Sequence, residues 1–167
     1  MYAALPPPVL PPPLRRPGFP MPAYRYVPGL LPHPFKDPAG HGHVGPSDAV
    51  ERWIHGQDLF DHRYYWEAHE IWEGLWKSLP RASPRWYLVR GMIQASASVL
   101  KRHMDHIGPS LRLWKNAQHS IGLAGGEAWD LDLPRVVHAV ESYHGGGDWP
   151  LLAPAPSPAG HSPTPPS

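Results

Sequence analysis

The chain of 167 residues contains no cysteine. This absence excludes disulfide bonds, catalysis by a thiol and zinc sites built on cysteine. A strong excess of one charge is also missing, since 15 Lys and Arg residues stand against 14 Asp and Glu residues. The stretch 47–149 is faintly acidic, with 11 basic and 13 acidic residues. Because nucleic-acid-binding proteins normally carry a basic patch or stripe, we predict no nucleic-acid partner.

Long apolar runs are missing as well. No uninterrupted run approaches the ~20 residues that a membrane-spanning helix needs. The first residues, Met1-Tyr-Ala-Ala-Leu5, lack the charged segment followed by an apolar segment that marks a signal peptide. We therefore expect a soluble cytoplasmic protein without a membrane partner.

Proline is scarce in the middle of the chain and abundant at both ends. Of the 25 prolines, 14 fall in residues 1–46, 4 in 47–149 and 7 in 150–167. Because proline lacks a backbone N–H and fixes φ, neither end can hold a long helix or a central strand. We predict a disordered proline-rich arm at 1–23, an irregular strap packed on the domain at 24–46, a helical domain at 47–149 and a disordered proline-rich tail at 150–167.

The middle segment shows helical periodicity and no useful alternation of period two, which predicts an all-α fold. Asp48 and Ser83 are suited to cap the first and third helices, and Gly108-Pro109 is predicted to separate the third from the fourth. The third helix carries apolar or small residues around most of its circumference, so we place it at the centre. The architecture expected is a compact bundle of about five helices with disordered proline-rich termini. The predicted helices span about 48–60, 64–78, 84–106, 110–123 and 134–144.

The second predicted helix holds the polar residues that stand out. At 100° per residue, His69 lies at the edge of the apolar stripe and Glu73, four residues later, lies beside it. Glu70 is turned about a quarter-turn or more toward solvent, and Glu67 further still. His69 and Glu73 can therefore share a ligand, which Glu70 could serve only from one side.

The string His69-Glu70-x-x-Glu73 is similar to the zinc-protease helix His-Glu-x-x-His, in which two side chains four apart hold the metal and the glutamate is the base. Here a glutamate replaces the second histidine. A histidine with a carboxylate can hold iron, manganese or zinc, so a divalent metal is a cofactor hypothesis. In it, His69 and Glu73 are ligands and Glu70 is the candidate catalytic base. Candidates for a further ligand are His33, His41, His43 and His103.

A structural interpretation of the same helix stays open. Glu67 and Glu70 fall in its first turns, where the helix dipole favours negative charge. His69 can simply donate a hydrogen bond to Glu73. Trp72 and Trp76 are predicted to belong to the core rather than to a stacking platform.

The third predicted helix gives a fainter signal. Gly91, Gln94, Ala95 and Ser98 share one face. Either Gln94 reaches a ligand held by the second helix, or these small residues permit close helix packing.

A family resemblance rests on these two helices. The run Tyr65-Trp-Glu-Ala-His-Glu70 and the run Gly91-Met-Ile-Gln-Ala95 resemble the family called domain of unknown function 309, whose signature is an aromatic-Glu-Ala-His-Glu helix followed by a Gly-aliphatic-Ile-Gln helix. The resemblance spans roughly residues 24–123. It implies a compact helical bundle and no particular activity. The residues that match the pattern, where it implies that a shared site would lie, are Glu67, His69, Glu70, Glu73, Trp76 and Gln94.

Three functional hypotheses follow. The first is a binding module that self-associates as a homo-oligomer or binds a protein partner, because eight tryptophans in about a hundred residues exceed what a small core easily hides. The second is a metal-dependent enzyme, most plausibly a hydrolase, and it predicts that a strap histidine lies close to the second helix. The third makes the proline-rich arms the functional part and the helical domain their carrier.

Overall fold

The computed structural model describes residues 2–36, 40 and 42–154. Within these ranges no residue is in a strand, and the all-α bundle predicted from the sequence is confirmed. No described helix is both long and apolar enough to cross a membrane. The five helices are α1 (Ala49–Asp61), α2 (Tyr65–Ser78), α3 (Pro84–His103), α4 (Ile107–Leu123) and α5 (Leu133–His144).

Two predicted caps are present. The side chain of Asp48 accepts a hydrogen bond from the backbone N–H of Glu51 at the start of α1. Ser83 does the same for Trp86 at the start of α3. Each cap satisfies one of the backbone donors that a helix leaves free at its N-terminus.

The predicted boundary between the third and fourth helices is wrong. α3 ends at His103, and α4 already begins at Ile107, so Gly108 and Pro109 lie in its first turn. Proline is tolerated there because the N–H group that it lacks would have no acceptor within the helix in the first turn. The chain changes direction at Asp105, between the end of α3 and the start of α4. Asp105 adopts a φ of 58°, a conformation that Asp reaches more readily than most residues.

α3 lies at the centre of the bundle, packed against α2, α4 and α5, as its all-round apolar character predicted. Its closest neighbour is α4. A Cβ atom built on Gly91 would lie only 2.7 Å from Cγ1 of Ile121, so this glycine permits the close approach.

The eight tryptophans are all at least partly buried. Trp53, Trp72 and Trp114 belong to the core, and the other five are half-buried against it or against each other. Trp76, for example, packs on Trp86 with ring centroids 5.0 Å apart.

Residues 2–23 contact the helices, and their contacts are more specific than the sequence suggested. Leu5 is 5% exposed within the core cluster. The backbone carbonyls of Pro6 and Pro7 accept hydrogen bonds from the Arg63 side chain. That this arm is disordered stays a prediction. Most of the predicted tail, residues 155–167, lies outside the described residues.

The C-terminal end of α1 contacts both the N-terminal arm and the segment that follows α5. Asp58 and Asp61 are each 1% exposed, and one Arg15 nitrogen lies 3.1 and 3.0 Å from their carboxylate oxygens. From the other end of the chain, the backbone N–H of Leu152 donates to Asp61 over 2.6 Å. Burial raises the pKa of Asp61, and Arg15 and these backbone donors oppose the rise.

The crossing of α1 and α2 leads to a stability prediction. A Cβ on Gly56 would lie 2.1 Å from Nε1 of Trp72, which donates to the carbonyl of Trp53. We expect Gly56→Ala to lower the free energy of unfolding by about 1–3 kcal/mol, because overpacking outweighs the gain in helix propensity. The matched control is Gly122→Ala on α4, where nothing lies within 4 Å. We expect this control to raise stability by about 0.5–1 kcal/mol. Urea unfolding measures both, and equal effects would contradict the close contact.

Candidate ligand site on the second helix

The strap crosses the first half of α2 and is fixed there by its backbone. The N–H of Tyr26 donates to Oε1 of Glu67 over 2.8 Å. The Tyr26 ring meets the Trp66 ring edge-on, with centroids 4.8 Å apart. Val27, the next residue, is completely buried. The strap therefore covers one face of α2 along the first half of that helix.

Glu67 is buried by this strap. The helical projection turned Glu67 furthest toward solvent, and this expectation is wrong, because the side chain is only 3% exposed. Oε1 accepts from Tyr26, whereas the buried Oε2 has no hydrogen-bond partner in the described part of the chain. Burial raises the pKa of Glu67 to about 7, against the lowering effect of the bond from Tyr26. The molecule thus holds a carboxyl group that titrates near neutrality and has one oxygen unsatisfied.

A cavity of about 210 Å³ lies between the strap and α2, and we call it the strap pocket. Two aromatic side chains and two carboxyl groups line it, together with one arginine and one histidine. The remaining lining residues are small or apolar. In chain order the lining consists of Phe35, His43, Gly45, Pro46, Arg52, Trp66, Glu67, Glu70, Ile71 and Gly74.

The charges around the strap pocket are not paired with one another. Nε of Arg52 donates to the carbonyl of Pro46 over 2.9 Å. Among the described residues, no Lys or Arg nitrogen lies within ion-pair distance of Glu67 or Glu70. The contact with His69 lowers the pKa of Glu70, which is therefore ionised at neutral pH.

His69, Glu70 and Glu73 come together beside the strap pocket, and we call them the α2 cluster. Each offers one ligand atom, and the three atoms lie within 4.8 Å of one another. Nε2 of His69 lies 3.7 Å from Glu73, and Nδ1 lies 3.2 Å from Glu70. The second distance suits a hydrogen bond but its alignment does not, so Nδ1 is buried without a hydrogen-bond partner among the described residues. Glu73 also pairs with Lys77 over 2.9 Å.

The strap histidines differ in position. The His33 ring lies edge-on to Trp66 at 5.3 Å, so a strap histidine does lie against α2. It is not part of the α2 cluster, and no fourth ligand joins that cluster within the described ranges. His41 lies outside the described residues. His43 lines the strap pocket.

Gln94 faces a different helix. Its Oε1 accepts a hydrogen bond from the hydroxyl of Ser120 on α4 over 2.8 Å. Gly91, one turn earlier, permits the close approach of α4. On the same face, Ser98 bonds the carbonyl of Ala95 and contacts His144. These contacts favour the packing interpretation of the small-residue face.

A histidine pair at the edge of the strap pocket was missed from the sequence. Nε2 of His43 lies 2.8 Å from Nε2 of His55, a fully buried residue of α1. Burial and, to a lesser degree, His43 lower the pKa of His55 to about 4, against the opposing charge of Asp58. His55 is therefore neutral in the folded protein at physiological pH. Nothing in the period of α1 distinguishes it from an ordinary core residue.

This pair predicts how stability depends on pH. The pKa of His55 is about 4 in the folded chain and 6.5 as an ordinary histidine. Between these values the unfolded chain binds a proton that the folded chain rejects, so stability falls as the pH falls. We expect the stability difference between wild type and His55→Gln to shrink by on the order of 3 kcal/mol from about pH 6.5 to pH 4.

Urea unfolding at several pH values measures this difference. Taking the difference removes the contribution of Glu67, which runs in the opposite direction and is common to both proteins. A difference that stays constant across the range would contradict the buried neutral state of His55.

Comparison with known proteins adds a match to one family model and nothing on activity. Residues 53–118 match the model of a family described as "Domain of unknown function (DUF309)". The match runs from Trp53 on α1 through α2 and α3 into α4, and it confirms the resemblance found in the sequence. No curated protein and no solved structure matches the chain.

Proposed function

Since residues 53–118 match the model of the DUF309 family, whose description assigns no activity, we propose from the geometry that the domain is a binding module for a small molecule in the strap pocket. The observation that carries this proposal is the buried Oε2 of Glu67, which has no partner among the described residues. Leaving a buried polar atom unsatisfied costs about 1–3 kcal/mol. A ligand that donates a hydrogen bond to this oxygen removes that cost.

The composition of the strap pocket supports the same function. Small-molecule sites combine apolar and aromatic walls with a few polar groups that fix the ligand. Here Trp66 and Phe35 supply the aromatic walls, and Glu67 and Glu70 supply the polar groups. Carboxyl groups with perturbed pKa values in a cleft are typical of functional sites. A volume of about 210 Å³ suits a ligand of on the order of ten heavy atoms.

The burial of the tryptophans in the structure does not support the self-association that their number in the sequence suggested. No tryptophan of the described chain belongs to the exposed large hydrophobic residues. Half-buried indoles packed on one another leave no broad aromatic face of the kind that marks protein interfaces. The binding function proposed here therefore uses a pocket within one chain and needs no second copy.

A pocket-filling variant tests this function. A Cβ on Gly74 would lie 3.6 Å from Nη1 of Arg52, an ordinary contact, so a larger side chain can enter the strap pocket from α2. We expect compounds from a library of small metabolites to raise the melting temperature of the wild type by on the order of 5 °C at saturation. Gly74→Leu should abolish this rise, because leucine occupies the ligand volume.

The control is Gly122→Leu, the same replacement on an exposed helical face of α4. It should keep the ligand-induced rise. Thermal unfolding followed by circular dichroism measures all three proteins. If no compound stabilises the wild type, or if Gly74→Leu responds as the wild type does, the proposed function is wrong.

The α2 cluster supports a second candidate function, metal-dependent hydrolysis. Three converging side chains, one imidazole and two carboxylates, suit iron, manganese or zinc. Three protein ligands leave coordination positions for water or substrate, as in catalytic metal sites. A metal ion there would supply a Lewis acid beside the strap pocket, because Glu70 belongs to both. In this arrangement Glu70 is a ligand rather than the general base that the sequence suggested.

Elemental analysis of untagged protein tests the metal function. We expect about one equivalent of metal after reconstitution with manganese, iron or zinc. His69→Ala and Glu73→Ala should each weaken metal binding at least tenfold, because each removes one of three ligands. The control His119→Ala removes an exposed histidine of α4 and should keep the metal. A wild type that stays metal-free after reconstitution would leave the α2 cluster a structural feature.

A further inference from the structure

Two carboxyl groups and one arginine line the strap pocket, and no Lys or Arg of the described residues forms an ion pair with either carboxyl group. The side chain of Glu67 is 3% exposed, lines the pocket and leaves Oε2 without a partner among the described residues. Glu70 lines the same pocket, and its carboxylate lies 3.2 Å from Nδ1 of His69. Two carboxyl groups that converge on one small cavity repel each other and favour a positively charged occupant.

The basic side chains that line the strap pocket do not fill this role. Arg52 is committed through Nε to the carbonyl of Pro46 and makes no ion pair with either carboxylate. His43 is held neutral, because burial lowers its pKa, and its Nε2 is paired with His55. Among the described residues that line the strap pocket, no cationic side chain is therefore paired with Glu67 or Glu70, so their oxygens are left to accept from a bound molecule.

The walls of the strap pocket indicate an organic cation rather than a metal ion. Phe35 and Trp66 line one side with ring centroids 6.1 Å apart and planes at 51°, and Ile71 adds an aliphatic surface. Aromatic faces attract alkylammonium groups through the ring quadrupole, whereas a small metal ion needs several converging oxygen or nitrogen ligands. Glu67 is absent from the group of side chains whose ligand atoms converge.

We infer that the strap pocket binds a small organic ammonium ion. Its N–H groups donate to Glu67 Oε2 and to the carboxylate of Glu70, and its apolar part packs against Trp66 and Phe35. Charge-assisted hydrogen bonds of this kind are stronger than those between neutral groups, which gives the ammonium group its advantage over a hydroxyl. This inference rests on the proposed function of the strap pocket and names the ligand class.

Three probes of similar size and shape separate charge from shape: benzylammonium, benzyl alcohol and benzoate. We expect benzylammonium to bind at least tenfold more tightly than benzyl alcohol, and benzoate not to bind. Isothermal titration calorimetry at about pH 8 in the presence of a chelator measures the three affinities without interference from metal at the α2 cluster. Chemical-shift changes of the Trp66 indole N–H, assigned with Trp66→Phe, report whether the probe occupies the strap pocket.

Glu67→Gln tests the role of the carboxylate and keeps an oxygen to accept from the N–H of Tyr26. We expect it to weaken benzylammonium at least tenfold and to leave benzyl alcohol unchanged. Glu141→Gln, on the exposed face of α5, is the matched control and should bind as the wild type does. Gly74→Leu should abolish binding of both probes, and it serves as a second variant should Glu67→Gln fail to fold.

The outcomes separate this inference from the proposed function. If benzyl alcohol binds as tightly as benzylammonium and Gly74→Leu abolishes both, the ammonium assignment is overturned while the pocket function stands. If benzylammonium binds equally well to Gly74→Leu, its site lies elsewhere and the assignment is overturned. If none of the probes binds the wild type, the ammonium assignment is likewise overturned, and the library screen alone decides on the pocket function.

Discussion

The hydrogen bond from the backbone of Tyr26 to Glu67 is the constraint on which the candidate site depends. Over 2.8 Å it fixes the strap to α2, and the strap in turn encloses the carboxyl group that holds it. One bond cannot satisfy both oxygens, so Oε2 is left buried and unpaired, and burial raises the pKa of Glu67 to about 7. Without the strap over it, Glu67 would be an ordinary solvated acid near a helix N-terminus.

The period of α2 places two distinct arrangements side by side. Residues 66, 67, 70, 71 and 74 follow helical spacing along the strap pocket, and residues 69, 70 and 73 follow it along the α2 cluster. Glu70 belongs to both sets. Because one carboxylate cannot give its full charge to two cations, an organic cation in the pocket and a metal ion on the cluster would compete for it. The two candidate functions are thus linked through one side chain.

The helices were predictable because their signals are local. Apolar periodicity, the caps Asp48 and Ser83 and the all-round apolar α3 each depend on residues within a few positions of one another. Glu67 was misplaced because a helical projection measures distance only from the apolar stripe of its own helix, and the strap that covers the other face has no period. The His43–His55 pair was missed for the same reason, since one partner lies in irregular chain. Gly108-Pro109 was misread because its residues suit a helical first turn as well as a break.

The structural interpretation of α2 explains part of these observations and leaves one unexplained. A glutamate in a first turn is favoured by the helix dipole, and Glu67 does lie in the first turn of α2. That role needs only a solvated carboxylate, whereas the strap removes the side chain from water at an energetic cost. The described residues hold seven buried side-chain atoms without a hydrogen-bond partner, and Oε2 of Glu67 is the carboxyl oxygen among them. Glu67, which carries the orphan oxygen, lines a cavity together with a second carboxylate and two aromatic rings. This combination of a buried carboxyl oxygen without a partner, a second carboxylate and aromatic walls is the reason why we propose binding rather than packing alone as the role of this part of α2.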